Sequence, residues 1–522
     1  SKKSKLILAT AVFGAALFGA SCGGGGGGGT ASAPPSPPSP PSPTVEGRVL
    51  ALLDVGSVGA GTSKQVAICE LKSDNKAYCG SDLNQNADVD LHHVYELPIP
   101  NGNVVLGDTS NFLYFFNGSQ VIKPTSYREL GATSYTSVPG GITIPNLSDP
   151  NTKVYATPNF VIVHNTTSNV LVAVSKDGRV IRDNGVTAVN APCEVVKQGS
   201  TYYKLNVDGT SSDVTATTPE QVLARAGDRV LVKRINNIYL SSSECSITGA
   251  ITITSLSSSS SSYDAKMVKV GNDFYIAVRE DTTLRYYKVS GDTVFNLTPT
   301  PIGLYSTSTN KYYYALDGMG RLYAITGSST VKVYSNTSGL EIGSANVSSV
   351  GGLLGLADRA LAKSGSNVYE VSITGSGVSA IGVVAAGLSD ALSGCTDANN
   401  TVDIDGVGTN FVRCVFDNGA DESLFSLRYD SGTYAGASRN LPGSTSSLAI
   451  ARFGVGKVLV RPGDTSSPIL LCTTTTTPSI SCSPTDLPNI DPTNINYYLK
   501  SNGDNVFYTT SGGTLKVGNI FD

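Results

Sequence analysis

The sequence predicts an all-β protein, in the simplest case a single β-propeller of seven or eight blades, with eight preferred. One pattern recurs after residue 46: a Gly, Asn or Asp is followed by a short β-branched or aromatic strand, a tight turn and a second strand. Residues 111–123, 311–325 and 505–517 are clear copies, and successive copies start roughly 40 to 50 residues apart. Asn117-Gly118 and Asp317-Gly318 are typical hairpin turns, because such residues readily adopt positive φ. Short strands at this spacing indicate a propeller or a related all-β array.

The number of hairpins leaves the architecture open. Roughly nine to eleven can be counted, more than a common propeller has blades, so some blades are expected to contribute two hairpins. The alternative is two all-β domains separated near the serine-rich residues 255–262. Residues 353–362 and 383–393 have Leu and Ala at helix-compatible spacing, but the first segment is in phase with the strand repeat and is predicted to be strand. Residues 49–53 and 505–517 are predicted to share a sheet, because a propeller must cover its edge strands.

The first residues have the three-part layout of an export signal. Lys2, Lys3 and Lys5 precede an apolar run at residues 6–20, and small residues lead from that run to Cys22. The run is too short and wrongly flanked for a membrane-spanning helix. The layout therefore predicts an exported protein.

The residues around the predicted cleavage point carry a family resemblance. Gly19, Ala20 and Ser21 directly precede Cys22, and this arrangement resembles the lipobox of bacterial lipoproteins, although Gly19 stands where a leucine is usual. The resemblance implies cleavage before Cys22 and acylation of that cysteine. Because Gly23 is not the aspartate that retains many such proteins at the inner membrane, the resemblance also implies attachment to the outer membrane or cell surface.

The chain thus divides into three predicted regions. Residues 1–21 are the signal peptide, residues 22–45 are a lipid-anchored tether, and residues 46–522 are the propeller-like body. The tether combines a run of glycines, which is flexible, with a Pro-Ser segment that should form a polyproline II rod roughly 30 Å long. Such a tether would hold the body away from the membrane to which the lipid attaches.

The charge balance argues against nucleic acid as a partner. The chain has 37 basic and 41 acidic residues, and removal of the leader takes away three lysines and no acids. No basic stripe is visible, whereas nucleic-acid binding requires clustered Lys and Arg.

Eight cysteines follow Cys22, and an even number behind an export signal favours disulfides. Zinc is disfavoured, because no Cys-x-x-Cys occurs and the chain has only 3 histidines. Other connectivities stay open, but nearest-neighbour pairing is predicted, namely Cys69–Cys79, Cys193–Cys245, Cys395–Cys414 and Cys472–Cys482.

Two acidic segments are candidate metal sites. Asp88, Asp90 and His92 alternate along a predicted strand and would share one face, but a polar edge strand with solvated charges is the preferred interpretation. The second segment offers the oxygen ligands that Ca²⁺ prefers, although the EF-hand spacing and its distal Glu are missing and Asp and Asn are also good turn formers. Its candidate ligands are Asp397, Asn399, Asp403 and Asp405.

No catalytic residue is predicted, because the body has no Gly-x-Ser-x-Gly, P-loop or dinucleotide fingerprint. No cofactor is predicted apart from calcium at the second acidic segment. Adjacent tyrosines such as Tyr286 and Tyr287 would point to opposite faces of a strand, so at least one of each pair should pack in the interior. The expected function is that of a non-catalytic binding or scaffolding module with a protein or glycan partner. The alternative is a propeller-type hydrolase or lyase with a metal or carboxylate site in the central funnel.

Overall fold

The computed structural model is all-β, as the sequence predicts, with strands joined by short turns. It describes the backbone of the strands between residues 49 and 137 and between 500 and 518. It also describes residues 144–146, 149, 151–260, 262–305, 310–375, 377–443, 449–464, 466–474 and 479–484. The leader, the tether and the side chains of Cys69, Cys79, Asp88, Asp90 and His92 lie outside the described residues. Within the described part, no helix is long and apolar enough to cross a membrane.

The strands that the structure assigns form ten antiparallel sheets, numbered here in chain order. Sheet 1 begins with β1 (Val49–Val58), β2 (Gln65–Lys72), β3 (Lys76–Ser81) and β4 (Asp88–Glu96). Sheet 2 contains β5 (Asn103–Leu106), β6 (Leu113–Asn117), β7 (Gln120–Pro124) and β8 (Tyr135–Ser137). Sheet 3 contains β9 (Thr152–Ala156), β10 (Phe160–Asn165), β11 (Leu171–Ser175) and β12 (Val180–Asp183). Sheet 4 contains β13 (Val186–Asn190), β14 (Val195–Gln198), β15 (Thr201–Leu205) and β16 (Ser211–Asp213).

The next three sheets follow the same order. Sheet 5 contains β17 (Gln221–Ala226), β18 (Arg229–Arg234), β19 (Asn237–Ser241) and β20 (Ile251–Ser255). Sheet 6 contains β21 (Tyr263–Val270), β22 (Asp273–Glu280), β23 (Thr283–Ser290), β24 (Thr293–Asn296) and the two-residue β25 (Ile302–Gly303). Sheet 7 contains β26 (Tyr314–Leu316), β27 (Leu322–Gly327), β28 (Thr330–Tyr334) and β29 (Glu341–Asn346).

The last sheets flank the one helix of the described residues. Sheet 8 contains β30 (Val350–Gly355), β31 (Ala360–Ser364), β32 (Asn367–Thr374) and β33 (Gly377–Val383), and the helix α1 (Leu388–Cys395) follows it. Sheet 9 contains β34 (Thr401–Asp405), β35 (Phe411–Asp417), β36 (Glu422–Asp430) and β37 (Thr433–Leu441). Sheet 10 contains β38 (Ile450–Phe453), β39 (Lys457–Arg461), β40 (Leu470–Thr473) and β41 (Ser481–Pro484). Finally, β42 (Lys500–Asn502), β43 (Asn505–Thr509) and β44 (Leu515–Gly518) return to sheet 1.

Each sheet from 2 to 10 contains a meander of four consecutive strands, which can be grouped as two successive hairpins, as expected for propeller blades; in sheet 6 the short β25 also pairs with β23. In sheet 1, β4 pairs with β44 through Asp88 opposite Lys516. Residues 49–53 and the hairpin at 505–517 therefore belong to one sheet, as predicted, although β4 and not β1 lies beside that hairpin. Because the assigned strands form ten sheets, the predicted number of seven or eight blades is not confirmed.

Consecutive sheets pack face to face. In β22, Ile276 and Val278 contribute to a buried cluster shared with sheet 5, while Tyr275 and Ala277 face a second cluster shared with sheet 7. A strand covered on both faces is apolar at successive positions, which explains residues 160–163 at the start of β10, a strand in which every residue is buried. Comparable clusters join sheets 3 and 4, 7 and 8, 8 and 9, and 9 and 10.

The two segments of uncertain type are resolved by this packing. Residues 353–362 belong to β30, β31 and the turn between them, so the strand prediction is confirmed, whereas the second segment, 383–393, covers the end of β33 and most of α1. The serine-rich loop before β21 lies between sheets 5 and 6, which share a hydrophobic cluster. Ser257 N donates a hydrogen bond to Glu280 Oε2 at 2.6 Å across this junction. The two sheets that flank the loop therefore share a core.

A buried ion pair lies where sheets 7 and 8 meet. Asp317, in the turn between β26 and β27, is fully buried. Its Oδ1 accepts hydrogen bonds from the backbone amides of Met319 and Arg321, both at 3.0 Å. Its Oδ2 accepts from Arg321 Nε and Tyr323 Oη, both at 2.8 Å. Arg321 Nη2 reaches across to Asp358 O of sheet 8 at 2.6 Å, so the pair links the two sheets. Burial raises the pKa of Asp317, and the neighbouring Arg321 opposes this effect.

The backbones of the same two sheets approach closely beside the ion pair. Gly318 N donates to Leu356 O at 2.8 Å. A Cβ added to Gly355 would lie 1.9 Å from Leu316 O, so only glycine fits at that point of β30. These contacts fix the position of sheet 8, which forms one wall of the site described next.

Candidate functional site

A polar cleft opens between sheets 8 and 9 beside α1, with a volume of about 330 Å³. One wall comes from β31, one from α1 and the turn after it, and the floor from β35, β36 and β37. Most of the side chains that line the cleft are polar, and the full lining is Lys363, Asp390, Ser393, Gly394, Asp397, Phe416, Ser423, Phe425, Ser438 and Asn440.

The helix α1 keeps sheets 8 and 9 apart and so creates the cleft. It begins after Gly387, which has φ 70° and packs against Gly436 of β37. A Cβ on Gly436 would lie 2.4 Å from Gly387 C, so the two glycines permit a direct backbone contact. At its other end the helix is tied to β35 by the disulfide Cys395–Cys414. The helix is therefore held against sheet 9 at both ends.

Two rows of paired residues form the floor of the cleft. In the first row, Ser423 of β36 lies between Phe416 of β35 and Asn440 of β37. In the next row, Phe425 of β36 lies opposite Ser438 of β37. The two phenylalanine rings meet edge to face, with centroids 5.7 Å apart. Ser423 Oγ donates to Asn440 Oδ1 at 3.1 Å. The floor thus combines aromatic surface with groups that can both donate and accept hydrogen bonds.

Lys363 is the cation of the cleft. It follows Leu361 by two residues on β31 and shares its face, on which Leu361 packs in the cluster around α1. The lysine side chain is half-buried, and among the described residues it has no ion-pair or hydrogen-bond partner. Lys363 was not predicted as a site residue, and the available signal in the sequence was its shared strand face with Leu361.

Asp397, one of the predicted calcium ligands, lines the cleft, but its carboxylate is occupied by the turn that follows α1. Its Oδ1 accepts from Asn399 N at 3.0 Å and from Asn400 N at 3.2 Å. Its Oδ2 accepts from Asn400 Nδ2 at 2.9 Å. Asp397 therefore has the turn-forming role that Asp commonly has.

The other predicted calcium ligands are two aspartates with partners of their own and one exposed asparagine. Asp403 Oδ1 accepts from Ile404 N at 2.8 Å, and burial raises its pKa. Asp405 Oδ2 accepts from Arg413 Nη2 at 2.8 Å. Asn399 is exposed and contributes its backbone amide to the turn. Within the described residues no three acidic, histidine or cysteine side chains form a metal-holding group, so calcium binding stays a prediction.

The cysteines follow the nearest-neighbour scheme wherever their side chains are described. Cys193–Cys245, Cys395–Cys414 and Cys472–Cys482 form disulfides. Cys69 and Cys79 are opposite each other in the register of β2 and β3, and their side chains lie outside the described residues. Disulfides of this kind are typical of proteins outside the cytoplasm.

Other residues considered in the sequence have structural surroundings. His164 is buried, and its Nε2 lies 2.7 Å from Val186 O. Tyr286 and Tyr287 point to opposite faces, as predicted, and both are buried, one toward sheet 7 and one toward sheet 5. These side chains therefore hold neighbouring sheets together.

A second group of charges lies between sheets 6 and 7. Asp264 Oδ2 accepts from Arg279 Nε at 2.9 Å, and its Oδ1 accepts from Tyr314 Oη. Lys266 Nζ donates to the carbonyl oxygens of Lys311 and Tyr314, both at 2.5 Å. Burial lowers the pKa of Lys266 to about 7, and Asp264 opposes that effect. These hydrogen bonds link β21 and β22 of sheet 6 to β26 of sheet 7 and to the residues just before it.

Glu422 lies behind the cleft floor, and its burial predicts a pH effect on stability. Its side chain is buried and points away from the cleft, toward sheet 10. Glu422 Oε2 accepts a hydrogen bond from Gly463 N at 2.7 Å, whereas Oε1 has no partner among the described residues. Burial raises its pKa above the ordinary 4.5, and Asp417 and Asp464 act in the same direction. Between 4.5 and the raised value the folded protein binds more protons than the unfolded chain, so stability falls as pH rises through this window.

We expect Glu422→Gln to remove that part of the pH dependence. The amide keeps an acceptor for Gly463 N without a charge, so at neutral pH the variant should be more stable, by about 1.4 kcal/mol for each tenfold change in the acid constant. Urea unfolding between pH 4 and pH 8 measures the effect. Glu341→Gln, at an exposed glutamate 3.6 Å from Lys332, is the control and should leave the profile unchanged. Parallel profiles for wild type and Glu422→Gln would contradict the expectation.

Comparison with known proteins finds similarity only to solved structures. No family model matches the sequence, and no curated protein does. PorZ, a surface component of the type-IX secretion system of Porphyromonas gingivalis, is 12% identical with a TM-score of 0.30, over 90% of this chain and 68% of PorZ. The C-terminal WD40 domain of Sif2 is 10% identical with a TM-score of 0.33, over 71% of this chain and 96% of that domain. A streptogramin B lyase is 12% identical with a TM-score of 0.29, over 61% of this chain and 93% of the lyase. Similarities at this level assign no function to the chain.

Proposed function

We propose that the protein is an exported, lipid-anchored, non-catalytic binding module of the cell envelope, and that it holds its ligand in the cleft between sheets 8 and 9. The observation that carries the proposal is the half-buried, unpaired Lys363 facing a floor of aromatic and hydroxyl side chains. A concave site with a few convergent polar groups is the usual form of a ligand site. The disulfides support a location outside the cytoplasm.

Binding is favoured over the alternative of a hydrolase or lyase by the state of the charged groups. In the charged group between sheets 6 and 7, Asp264 accepts hydrogen bonds from Arg279 and Tyr314, and Lys266 donates to two backbone carbonyl oxygens. In the cleft, Asp397 is likewise occupied by backbone amides, which leaves Asp390 as an exposed carboxylate on the rim. Because a general acid or base acts together with groups that position it, a single exposed carboxylate on the rim suits recognition better than proton transfer.

The binding proposal is tested by blocking the cleft from its rim. Ser438 is exposed on β37, the last strand of sheet 9, so Ser438→Trp should fill the cleft without disturbing the core. Ser344 is exposed on β29, the last strand of sheet 7, and Ser344→Trp is the matched control. Affinity capture of native envelope components should lose its specific partner with the first variant and keep it with the second. Equal capture by both variants would place the ligand site elsewhere.

The anchor gives a separate prediction. We expect Cys22→Ala to shift the protein from the membrane fraction to the soluble fraction, because a lipid-modified cysteine would be the attachment point. Membrane fractionation and mass spectrometry of the mature N-terminus measure the outcome. Ser21→Ala, a small-for-small change before the cleavage point, is the control. A wild-type N-terminus that starts elsewhere, or that carries no acyl mass, would overturn the lipid anchor and leave the binding proposal untouched.

A further inference from the structure

We infer that the ligand of the cleft is a segment of a neutral oligosaccharide. The inference rests on the proposed binding function and adds the chemical class of the ligand. Three properties of the cleft carry it: its aromatic floor, its polar groups of mixed type and its open rim.

The aromatic floor suits a sugar ring. Phe416 and Phe425 both line the cleft and are half-buried, so part of each side chain stays accessible, while one side of the Phe425 ring packs on Gly394 of α1. The C–H groups of a pyranose form an apolar surface that packs on the negative face of an aromatic ring. A floor of this kind binds the ring of the sugar and leaves its hydroxyl groups pointing to the walls.

The polar lining matches hydroxyl groups. Ser393 and Ser438 can each donate and accept, as alcohols of a sugar also do, whereas Ser423 donates to Asn440 Oδ1 and can only accept from a ligand. Lys363 offers three donors and no acceptor, whereas Asp390 offers acceptors alone. Such a set can satisfy both the donor and the acceptor function of neighbouring sugar hydroxyls. Hydroxyl groups that lost water without new partners would instead weaken binding.

The balance of charge favours a neutral ligand over an anionic one. One lysine faces two carboxylates, Asp390 and Asp397, in the lining. An anion bound in the cleft would share its lining with these two carboxylates, and like charges within one site repel each other. A neutral glycan meets no such penalty.

The open rim suits a chain longer than the cleft. Asp390, Ser438 and Asn440 are exposed at the edge, so a ligand seated on the floor can continue into solvent in either direction. The volume of about 330 Å³ is at the lower end of small-molecule sites and holds a short segment only. The site therefore fits a few units of a longer glycan.

The absence of tryptophan from the chain provides a direct test. In the full chain, solubilised in detergent, Phe416→Trp keeps an aromatic ring on the cleft floor and makes it the sole source of indole fluorescence. The probes are the neutral hexasaccharides of glucose and of N-acetylglucosamine in several linkages, an oligogalacturonate and a phenylalanine-containing tripeptide. We expect at least one neutral hexasaccharide to shift the emission to shorter wavelength in a saturable way, and no shift with Ser344→Trp.

Lys363 supplies the second measurement. Lys363→Met in the Phe416→Trp background should raise the dissociation constant at least tenfold, while Lys332→Met on sheet 7 should leave it unchanged. Thermal melting and the state of the Cys395–Cys414 disulfide show whether each variant is folded. If no neutral hexasaccharide shifts the emission, or only the oligogalacturonate or the peptide does, the glycan inference is wrong. In that case the capture experiment with Ser438→Trp still decides separately whether the cleft is a binding site.

Discussion

Replacing Asp317 with alanine is expected to lower the free energy of unfolding by about 3–5 kcal/mol, because it breaks a buried ion pair and leaves its partners unpaired. Two backbone amides, the Arg321 guanidinium and the Tyr323 hydroxyl all donate to this one carboxylate. The Arg321 charge would remain beside the junction of sheets 7 and 8 without its counterion. Urea unfolding of wild type and variant at neutral pH measures the loss.

The matched control is an aspartate at the same junction with a more exposed side chain. Asp358 pairs with Arg359 at 2.8 Å, and its side chain is 49% exposed. Asp358→Ala should cost less than about 1 kcal/mol, as exposed ion pairs usually do. If the two substitutions lowered the free energy of unfolding equally, the hydrogen bonds of Asp317 would contribute no more to stability than an exposed ion pair.

Gly355→Ala is expected to be the second severe change, at or above the upper end of the about 1–3 kcal/mol that overpacking usually costs. The new Cβ would lie 1.9 Å from Leu316 O, a backbone atom that cannot rotate away. Sheets 7 and 8 would have to separate, with loss of the hydrogen bond from Gly318 N to Leu356 O. Thermal and chemical unfolding measure the loss.

Gly351 on the same strand is the control. A Cβ at that position meets nothing within 4 Å, so Gly351→Ala should leave stability nearly unchanged. If Gly355→Ala left the free energy of unfolding unchanged, the close approach of the two backbones would not limit the packing of sheets 7 and 8. Because sheet 8 carries Lys363, a destabilising Gly355→Ala should also weaken ligand binding in the cleft.

Local patterns explain why so much of the fold could be predicted. The turn Asp317-Gly318 marks a hairpin by residue type alone, and β26 and β27 flank it as expected. The disulfides Cys395–Cys414 and Cys472–Cys482 join residues close in sequence, so nearest-neighbour pairing identifies them. The sequence does not show that Asp317 is buried, because its burial depends on sheet 8 folding over the turn.

The cleft could not be predicted, because its residues come from distant parts of the chain. Lys363 and Ser438 are far apart in sequence. They line the same cleft only because α1 packs between sheets 8 and 9. The calcium hypothesis relied on a local spacing of oxygen ligands, and Asp397 shows the weakness of that signal. The side chain that satisfies a turn and the side chain that binds a metal are of the same type.

The face-to-face packing of consecutive sheets has a consequence for how the chain folds. Each described cluster joins sheets that are neighbours in sequence, so most of the core can form from nearby segments as they become available. Local contacts of this kind favour fast folding. Sheet 1 is different, because β1–β4 acquire their partner β44 only after the whole chain has been made. Completion of sheet 1 should therefore be the slow, final step, and until then the edge of β4 stays unpaired and open to aggregation.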